Sequence, residues 1–308
     1  MHVLITGVGG FVGLRLARHL LARGERVSGT YIGAAPSLEG VDLYEANLLD
    51  REALAKAVTA ADPDAVVNLA GLSHVGESWR WERMADYFWV NVVGTENVLA
   101  AAEGRRVVIA SSADVYGTVP KEEQPIREDR RIAPQTPYAL TKAAAERFAL
   151  TCGAVIVRSF NLIGPGQAPN FALASWASQL AAIRRGEKEP LLPVGDLSTW
   201  RDFVHVDDGA AAYHLLAEKG SPGMTYNLSS GRGVQMRQAL QRLLEISGVT
   251  AEVKEGAYPA RPHDIPYLSG DASRLRALGW ETRRSVEEAL SDLWAEAVGP
   301  GRVRAAES

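Results

Sequence analysis

Tyr138 and Lys142 lie four residues apart in the stretch Tyr138-Ala-Leu-Thr-Lys142, which reads as helix, so a phenol and an ammonium share one helix face. A phenol with a free pKa of about 10 is a poor acid-base group at neutral pH, and a positive charge beside it stabilises the phenolate. Carbonyl/alcohol redox chemistry has that requirement. A Tyr and a Lys at this spacing also occur on many solvated helix faces, so the pair takes its meaning from residues elsewhere in the chain.

A second group sits at the end of an apolar run, Val107-Val108-Ile109-Ala110-Ser111-Ser112-Ala113-Asp114-Val115-Tyr116-Gly117. A strand ending in hydroxyls places them at the ligand edge of a parallel sheet, where a serine can donate to a substrate oxygen as charge develops. The plainer alternative is a serine-rich strand end that caps a turn. The third group opens the chain: Met1-His2-Val3-Leu4-Ile5-Thr6, then Gly7-Val8-Gly9-Gly10-Phe11-Val12-Gly13, then Leu14-Arg15-Leu16-Ala17. Strand, glycine turn and amphipathic helix follow one another, the context in which glycines bring backbone and helix N-terminus against a pyrophosphate. Val12 takes the third position of G-x-G-x-x-G, and Gly7, Gly10 and Gly13 form G-x-x-G-x-x-G instead.

The elements that must position these groups alternate. Apolar runs at Arg26 to Tyr31, Asp42 to Ala46, Ala65 to Ala70, Arg106 to Ala110 and Ala154 to Phe160 predict strands. Arg51 to Ala61, Ala85 to Glu103 and Tyr138 to Thr151 predict helices between them. Six or seven strands in this rhythm make an α/β fold, a doubly wound Rossmann-like parallel sheet with ligands at the carboxyl ends of its strands. From about Gly164 the rhythm changes to a loop with Pro165, Gly166 and Pro169, a helix near Leu173 to Arg185 and mixed short elements. The expected division is a dinucleotide-binding domain over 1–163 plus about 200–220, and a smaller, discontinuous α/β substrate domain over 164–199 and 221–308, with 298–308 as a frayed tail.

The 308 residues can bury a large core, in one large domain or two modest ones. A formal charge of −4 and scattered arginine pairs disfavour nucleic acid as a partner. Cys152, the single cysteine, excludes an internal disulfide and is expected to be a buried structural thiol. No apolar run approaches ~20 residues and no signal-like segment precedes the first strand, so no membrane is expected as a partner and the expected location is the cytoplasm. His205, Asp207 and Asp208 match no metal-ligand spacing and are expected to cap a helix beginning near Asp208, so no metal is expected. His74 lies near the predicted site and is expected to be a hydrogen-bonded structural residue.

The glycine loop, Ser-Ser-Ala-Asp-Val-Tyr-Gly, Tyr138/Lys142 and Arg158-Ser159-Phe160-Asn161-Leu162-Ile163-Gly164-Pro165-Gly166-Gln167, taken together, resemble the extended short-chain dehydrogenase/reductases, the NAD-dependent epimerase/dehydratase family that modifies nucleotide sugars. Trp200-Arg201-Asp202-Phe203-Val204-His205-Val206-Asp207-Asp208, Tyr226-Asn227-Leu228, Arg261-Pro262 and Leu278-Gly279-Trp280 are similar to that family's substrate-domain signatures, so the resemblance covers nearly the whole chain. It implies that Tyr138 is the acid-base residue, that Lys142 lowers its pKa and holds the nicotinamide ribose, and that Ser112 rather than Ser111 hydrogen-bonds the sugar oxygen. For the cofactor, NAD or NADP, it implies a pocket of Gly7, Gly10, Phe11, Val12, Gly13, Thr30, Tyr31, Asn47, Leu48, Leu69, Ala70, Gly71, Asn91, Lys142 and Phe160. For the nucleotide-sugar phosphates it implies Asn161, Arg201 and Arg261, and a guanidinium suits such bidentate contacts. Members of the family commonly dimerise through the helices around 85–103 and 138–151, so a homodimer is expected.

Two departures sharpen the expectation. The acidic residue that NAD-dependent relatives carry after the second strand is replaced by Thr30-Tyr31-Ile32, and Asn47 replaces a common aspartate near the adenine, leaving both NAD and NADP open. Asp114 stands where 4,6-dehydratases carry a glutamate that removes the C5 proton, and the shorter side chain disfavours dehydration. The length, 160–167 and Arg261-Pro262-His263-Asp264-Ile265-Pro266 most resemble GDP-4-keto-6-deoxy-mannose reductases, which implies hydride transfer to a C4 ketone with Tyr138 as proton donor. A nucleotide-sugar 4-epimerase is the alternative.

Overall fold

A computed structural model describes residues 1–258 and 263–299. Its strands run β1 (His2–Thr6), β2 (Arg26–Tyr31), β3 (Val41–Glu45), β4 (Ala65–Asn68), β5 (Arg106–Ser112) and β6 (Val155–Ser159). They continue with β7 (Asn161–Ile163), β8 (Leu191–Pro193), β9 (Trp200–His205), β10 (Thr225–Leu228), β11 (Gly233–Gln235) and β12 (Glu252–Lys254). The helices are α1 (Phe11–Leu21), α2 (Arg51–Ala61), α3 (Val75–Ser78), α4 (Trp81–Phe88), α5 (Gly94–Ala101) and α6 (Pro137–Thr151). After them come α7 (Ala172–Arg184), α8 (Val206–Lys219), α9 (Met236–Ser247), α10 (Ser273–Ala277) and α11 (Val286–Val298).

Seven strands form one parallel sheet in the order β3-β2-β1-β4-β5-β6-β10. Both faces are covered, which is why β1 is buried along its whole length and reads as a continuous apolar run. Successive residues serve opposite faces: Val3 and Ile5 pack with Leu16, Leu20, Tyr213 and Leu216 of α1 and α8, while Leu4 packs with Leu54, Val58 and Val98 of α2 and α5. The chain leaves β1 toward β2 and β3 and then returns to β4, so the crevice at this reversal opens at the carboxyl ends of β1 and β4. This is the doubly wound Rossmann-like sheet expected from the sequence. A second core joins Leu173, Trp176 and Leu180 of α7, Leu240 and Leu243 of α9, and Leu290 and Leu293 of α11, beside the three-stranded sheet β11-β9-β7. Strand β10 lies in the main sheet beside β6, although the sequence reading draws 221–308 on the substrate side.

Other elements differ from expectation for identifiable reasons. The helix expected over 85–103 is two helices, α4 and α5, joined by a π-helical turn at Trp89–Val93. That turn carries Asn91 into the interior, where it is 2% exposed, while Trp89 stays half exposed. Strand β5 runs two residues further than expected, to Ser112, because Ser111 and Ser112 still pair with Arg158 and Ser159 of β6. Cys152 is exposed rather than buried, since it caps the C-terminal end of α6 where the helix leaves the core. The cap of α8 is the His205 ring, whose Nδ1 accepts from the Asp207 amide at 3.0 Å; Asp208 instead accepts from the amides of Arg283 and Arg284. Among the described residues no helix is long and apolar enough to cross a membrane.

The seam between α1 and α8 holds two imidazoles in contact, His19 Nε2 and His214 Nδ1 at 3.2 Å. Burial, with Arg23 and the neighbouring imidazole, lowers His19 to about 4, and burial also lowers His214. A folded-state pKa below the unfolded value near 6.5 means that the unfolded chain binds protons first as pH falls. The seam's contribution is therefore complete above pH 6.5 and is lost as pH falls toward 4; after discounting for partial exposure it is about 2 kcal/mol. Replacing His19 with Gln should flatten that part of the curve of melting temperature against pH. An unchanged curve between pH 7 and 4 would remove the seam as its source.

Candidate active site

The glycine turn sits at the carboxyl end of β1. Gly7 takes φ +67°, a left-handed conformation that a side chain would strain, and a Cβ on it would meet Ala70 Cα at 3.0 Å. A Cβ on Gly13 would lie 2.3 Å from the Gly7 carbonyl oxygen, so this third glycine fixes how closely α1 approaches the turn. Gly10 caps α1, and Phe11 and Val12 form its first turn, leaving the first helical amides toward the crevice. Thr30 is buried at the end of β2 and its carbonyl accepts from the Val8 amide at 3.1 Å; Tyr31 beside it is half-buried. Asn47 bends the chain after β3, its side chain accepting from the Leu49 amide at 2.9 Å. Leu48 is buried against Gly94.

Leu69-Ala70-Gly71 follow β4 and pass beside this turn, tied by the Ala70 amide to Thr6 Oγ1 at 3.3 Å. Gly71 has Asn91 and Lys142 above it: a Cβ there would meet Asn91 Oδ1 at 2.9 Å and Lys142 Nζ at 3.4 Å. Asn91 uses its amide on the protein, accepting from the Leu72 amide at 2.9 Å and donating to the Leu72 carbonyl and to Thr141 Oγ1, each at 3.0 Å. It therefore holds the loop after β4 against α6.

Thr136 caps α6 by accepting from the Ala139 amide, and Pro137 at the first helical position is pre-set for the turn. Ser78 Oγ accepts from the Tyr138 amide at 3.2 Å, and the Tyr138 ring meets Tyr87 edge-on at 6.4 Å. Ser112, at the end of β5, lies beside the phenol and favours its ionised form. Lys142 Nζ donates to the Ala110 carbonyl of β5 at 3.0 Å. Tyr138, Ser112 and Lys142 thus converge where α6 crosses the end of β5. The expected lowering of the phenol pKa is not what the site produces. Burial first, then the negative charge of Asp114, push Tyr138 up, and Ser112 opposes them. Lys142 is itself brought down to about 8 by burial, against the raising effect of Glu146.

On the substrate side, Phe160 is buried, with Gly270 so close that a Cβ there would overlap its ring. Asn161, on β7, has its Oδ1 buried with no hydrogen-bond partner among the described residues. Arg201, on β9, is engaged by Asp264 at 2.7 Å and by the carbonyls of Trp200 and Ile265. Arg261 lies outside the described residues. His74 caps α3, its Nδ1 accepting from the Glu77 amide at 3.0 Å, and Tyr87 donates to its carbonyl at 2.6 Å.

The sequence reading misses three supports. Ser78 and the Thr136-Pro137 start of α6 set where Tyr138 points, and the cap-then-proline signal is available in the sequence. Val8 packs into the space left by Gly29, a contact that only the fold reveals. The buried Glu146–Arg158 pair behind the serines has no sequence signal beyond a charge inside an apolar strand.

A model of the family described as "NAD dependent epimerase/dehydratase family" matches residues 3–229. The chain is 33% identical to a GDP-6-deoxy-D-mannose reductase of Pseudomonas aeruginosa over 299 residues, covering 94% of each chain. It is 31% identical to a UDP-glucose 4-epimerase of Bacillus subtilis, covering 96% of each. Among solved structures it is similar to RMD from Pseudomonas aeruginosa complexed with NADPH, with a TM-score of 0.84 at 32% identity, covering 96% of this chain and 98% of that one. The UDP-glucose 4-epimerase of Thermus thermophilus in complex with NAD gives a TM-score of 0.88 at 28% identity, covering 98% of this chain and 100% of that one.

Proposed function

Because the chain belongs to the NAD dependent epimerase/dehydratase family, we propose that it is a nucleotide-sugar oxidoreductase that reduces the C4 ketone of a GDP-4-keto-6-deoxy-hexose. What supports this reading is the convergence of Tyr138 and Lys142 of α6 with Ser112 at the end of β5, in a chain whose likeness to the GDP-6-deoxy-D-mannose reductase runs over 94% of each. There Tyr138 would hand its proton to the new alkoxide. Ser112 holds the substrate oxygen, and Lys142, anchored on Ala110, presents a charged amine beside it.

The residues present fit a nicotinamide dinucleotide. A glycine turn whose Gly7 and Gly13 admit no side chain and a free helix N-terminus suit its pyrophosphate, and Lys142 above Gly71 suits the nicotinamide ribose. When bound, NAD(P)H supplies the hydride. No carboxylate follows β2 to repel a 2'-phosphate, which favours NADPH over NADH. The unpartnered Asn161 Oδ1 and the guanidinium of Arg201, once released by Asp264, are the proposed contacts to the sugar nucleotide, with Arg261 as the third. The main sheet would take the dinucleotide and the body around α7, α9 and α11 the sugar nucleotide; the proposed location is the cytoplasm.

The expected result is steady NADPH oxidation with GDP-4-keto-6-deoxy-mannose, by protein that purifies without bound dinucleotide. The likeness to the UDP-glucose 4-epimerases supports a second reading, a nucleotide-sugar 4-epimerase. Interconversion of UDP-glucose by protein carrying tightly held NAD, with no turnover of the keto sugar, would sink the reductase reading in its favour.

We also propose a homodimer. Trp81 is 83% exposed, and Phe88, Trp89, Leu140 and Phe148 are each about half exposed on α4, the π-helical turn and α6. Light scattering should give twice the 33.2 kDa chain mass, and Trp89→Glu with Phe148→Glu should give the monomer. A monomeric parent protein removes this proposal.

A further inference from the structure

Three residues of α6 lie on one face, Tyr138, Lys142 and Glu146, each a helical turn from the next. The last has no part in the chemistry above, yet it is 1% exposed and ionic. Ser111 donates its hydroxyl to Glu146 Oε1. Arg158, on β6 and in register with Ser111, donates to both carboxylate oxygens from Nε and Nη2 at 2.8 to 3.2 Å. Arg158 also donates to Tyr116 at 3.1 Å, and Tyr116 donates to Asn227 of β10 at 2.7 Å. One turn before Glu146, Lys142 donates to Ala110. Helix α6 is thus fastened to consecutive residues of β5, Ala110 by Lys142 and Ser111 by Glu146, and the next residue is Ser112.

A buried ion pair is weak evidence for stability, since desolvation offsets much of the attraction. Its placement therefore calls for another explanation. The charged and titratable groups around this centre are Tyr138, Lys142 and Glu146 on α6, Tyr87 on α4, Asp114 and Tyr116 beyond β5, Glu128, Arg158 on β6 and Tyr213 on α8. Resting on the catalytic reading of Tyr138, Lys142 and Ser112, we propose that Glu146 is a positioning residue for that centre: through Ser111 it locks the neighbouring Ser112 in place at the end of β5.

Three variants test it. Ser111→Ala keeps both charges and removes one hydrogen bond; kcat should fall about tenfold at an unchanged KM, because Ser112 loses its register. Ser111→Thr keeps the hydroxyl and should return kcat to within about threefold of the parent. Glu146→Met with Arg158→Met removes both charges and the acceptor at similar volume, so the fold should survive and kcat should fall at least as far as in Ser111→Ala. A full kcat in Ser111→Ala or in the double variant overturns the proposal and leaves the buried pair structural only, as does a loss in Ser111→Ala that Ser111→Thr does not recover. Retained turnover in Tyr138→Phe would instead signal a failure of the catalytic reading, so the two failures are told apart.

Discussion

Tyr138→Phe should lower kcat about 10³-fold, within the range for removing a positioned general acid, while NADPH still binds within about threefold of the parent affinity. The substitution removes one oxygen. The ring, its edge-on contact with Tyr87 and the amide bond to Ser78 remain, so the helix should not move and the melting temperature should hold. What is lost is the proton that burial and Asp114 keep on the phenol, beside Ser112. Stopped-flow NADPH oxidation together with fluorescence titration of NADPH measures both halves. A kcat within tenfold of the parent would move the proton donor to another group and dissolve the proposed centre. Loss of NADPH binding would instead mean that the phenol organises the pocket.

Arg158→Ala should destabilise the protein by about 4 kcal/mol, because truncation leaves Glu146 as an uncompensated charge in the interior. Arg158 is 5% exposed, makes three hydrogen bonds to the carboxylate, and lies over the Tyr116 ring at 4.8 Å. Tyr116, pushed up to about 12 mainly by burial, would remain a neutral phenol and could not replace the missing cation. In a chain of this size the loss corresponds to a drop in melting temperature of roughly 6 °C or more. Differential scanning calorimetry decides it. A variant melting within a degree of the parent would mean that water or a neighbouring cation already satisfies Glu146, and the fastening of α6 to β5 would lose its basis. The contrast with the charge-free double variant is part of the expectation: removing one partner is costly, removing both much less so.

Much of the architecture can be read from the chain because local signals and the global fold agree. Residues Arg26–Tyr31 and Arg51–Ala61 form the strand and the helix that their patterns predict, and the glycine turn falls between a buried strand and an amphipathic helix. The break inside 85–103 is invisible in sequence because a π-helical turn preserves helical composition while shifting the register; nothing local marks the extra residue that turns Asn91 inward. The exposure of Cys152 is equally hidden, because apolar neighbours in sequence do not say on which side of a helix end a residue emerges.

The candidate site divides in the same way. Residue types and spacing determined the chemistry available: a phenol and an amine one helical turn apart, a serine ending a strand, glycines at a helix N-terminus. Those are facts of local geometry, set by helix and strand repeats. Tertiary structure decided the state of those groups. Only the fold buries Tyr138 beside Asp114, so that the expected lowering of its pKa gives way to a rise, and only the fold ties the Asn91 amide to Leu72 and Thr141 and engages Arg201 with Asp264. Proton affinity and hydrogen-bond satisfaction depend on what is packed around a group from distant parts of the chain, and spacing along the sequence carries no record of that.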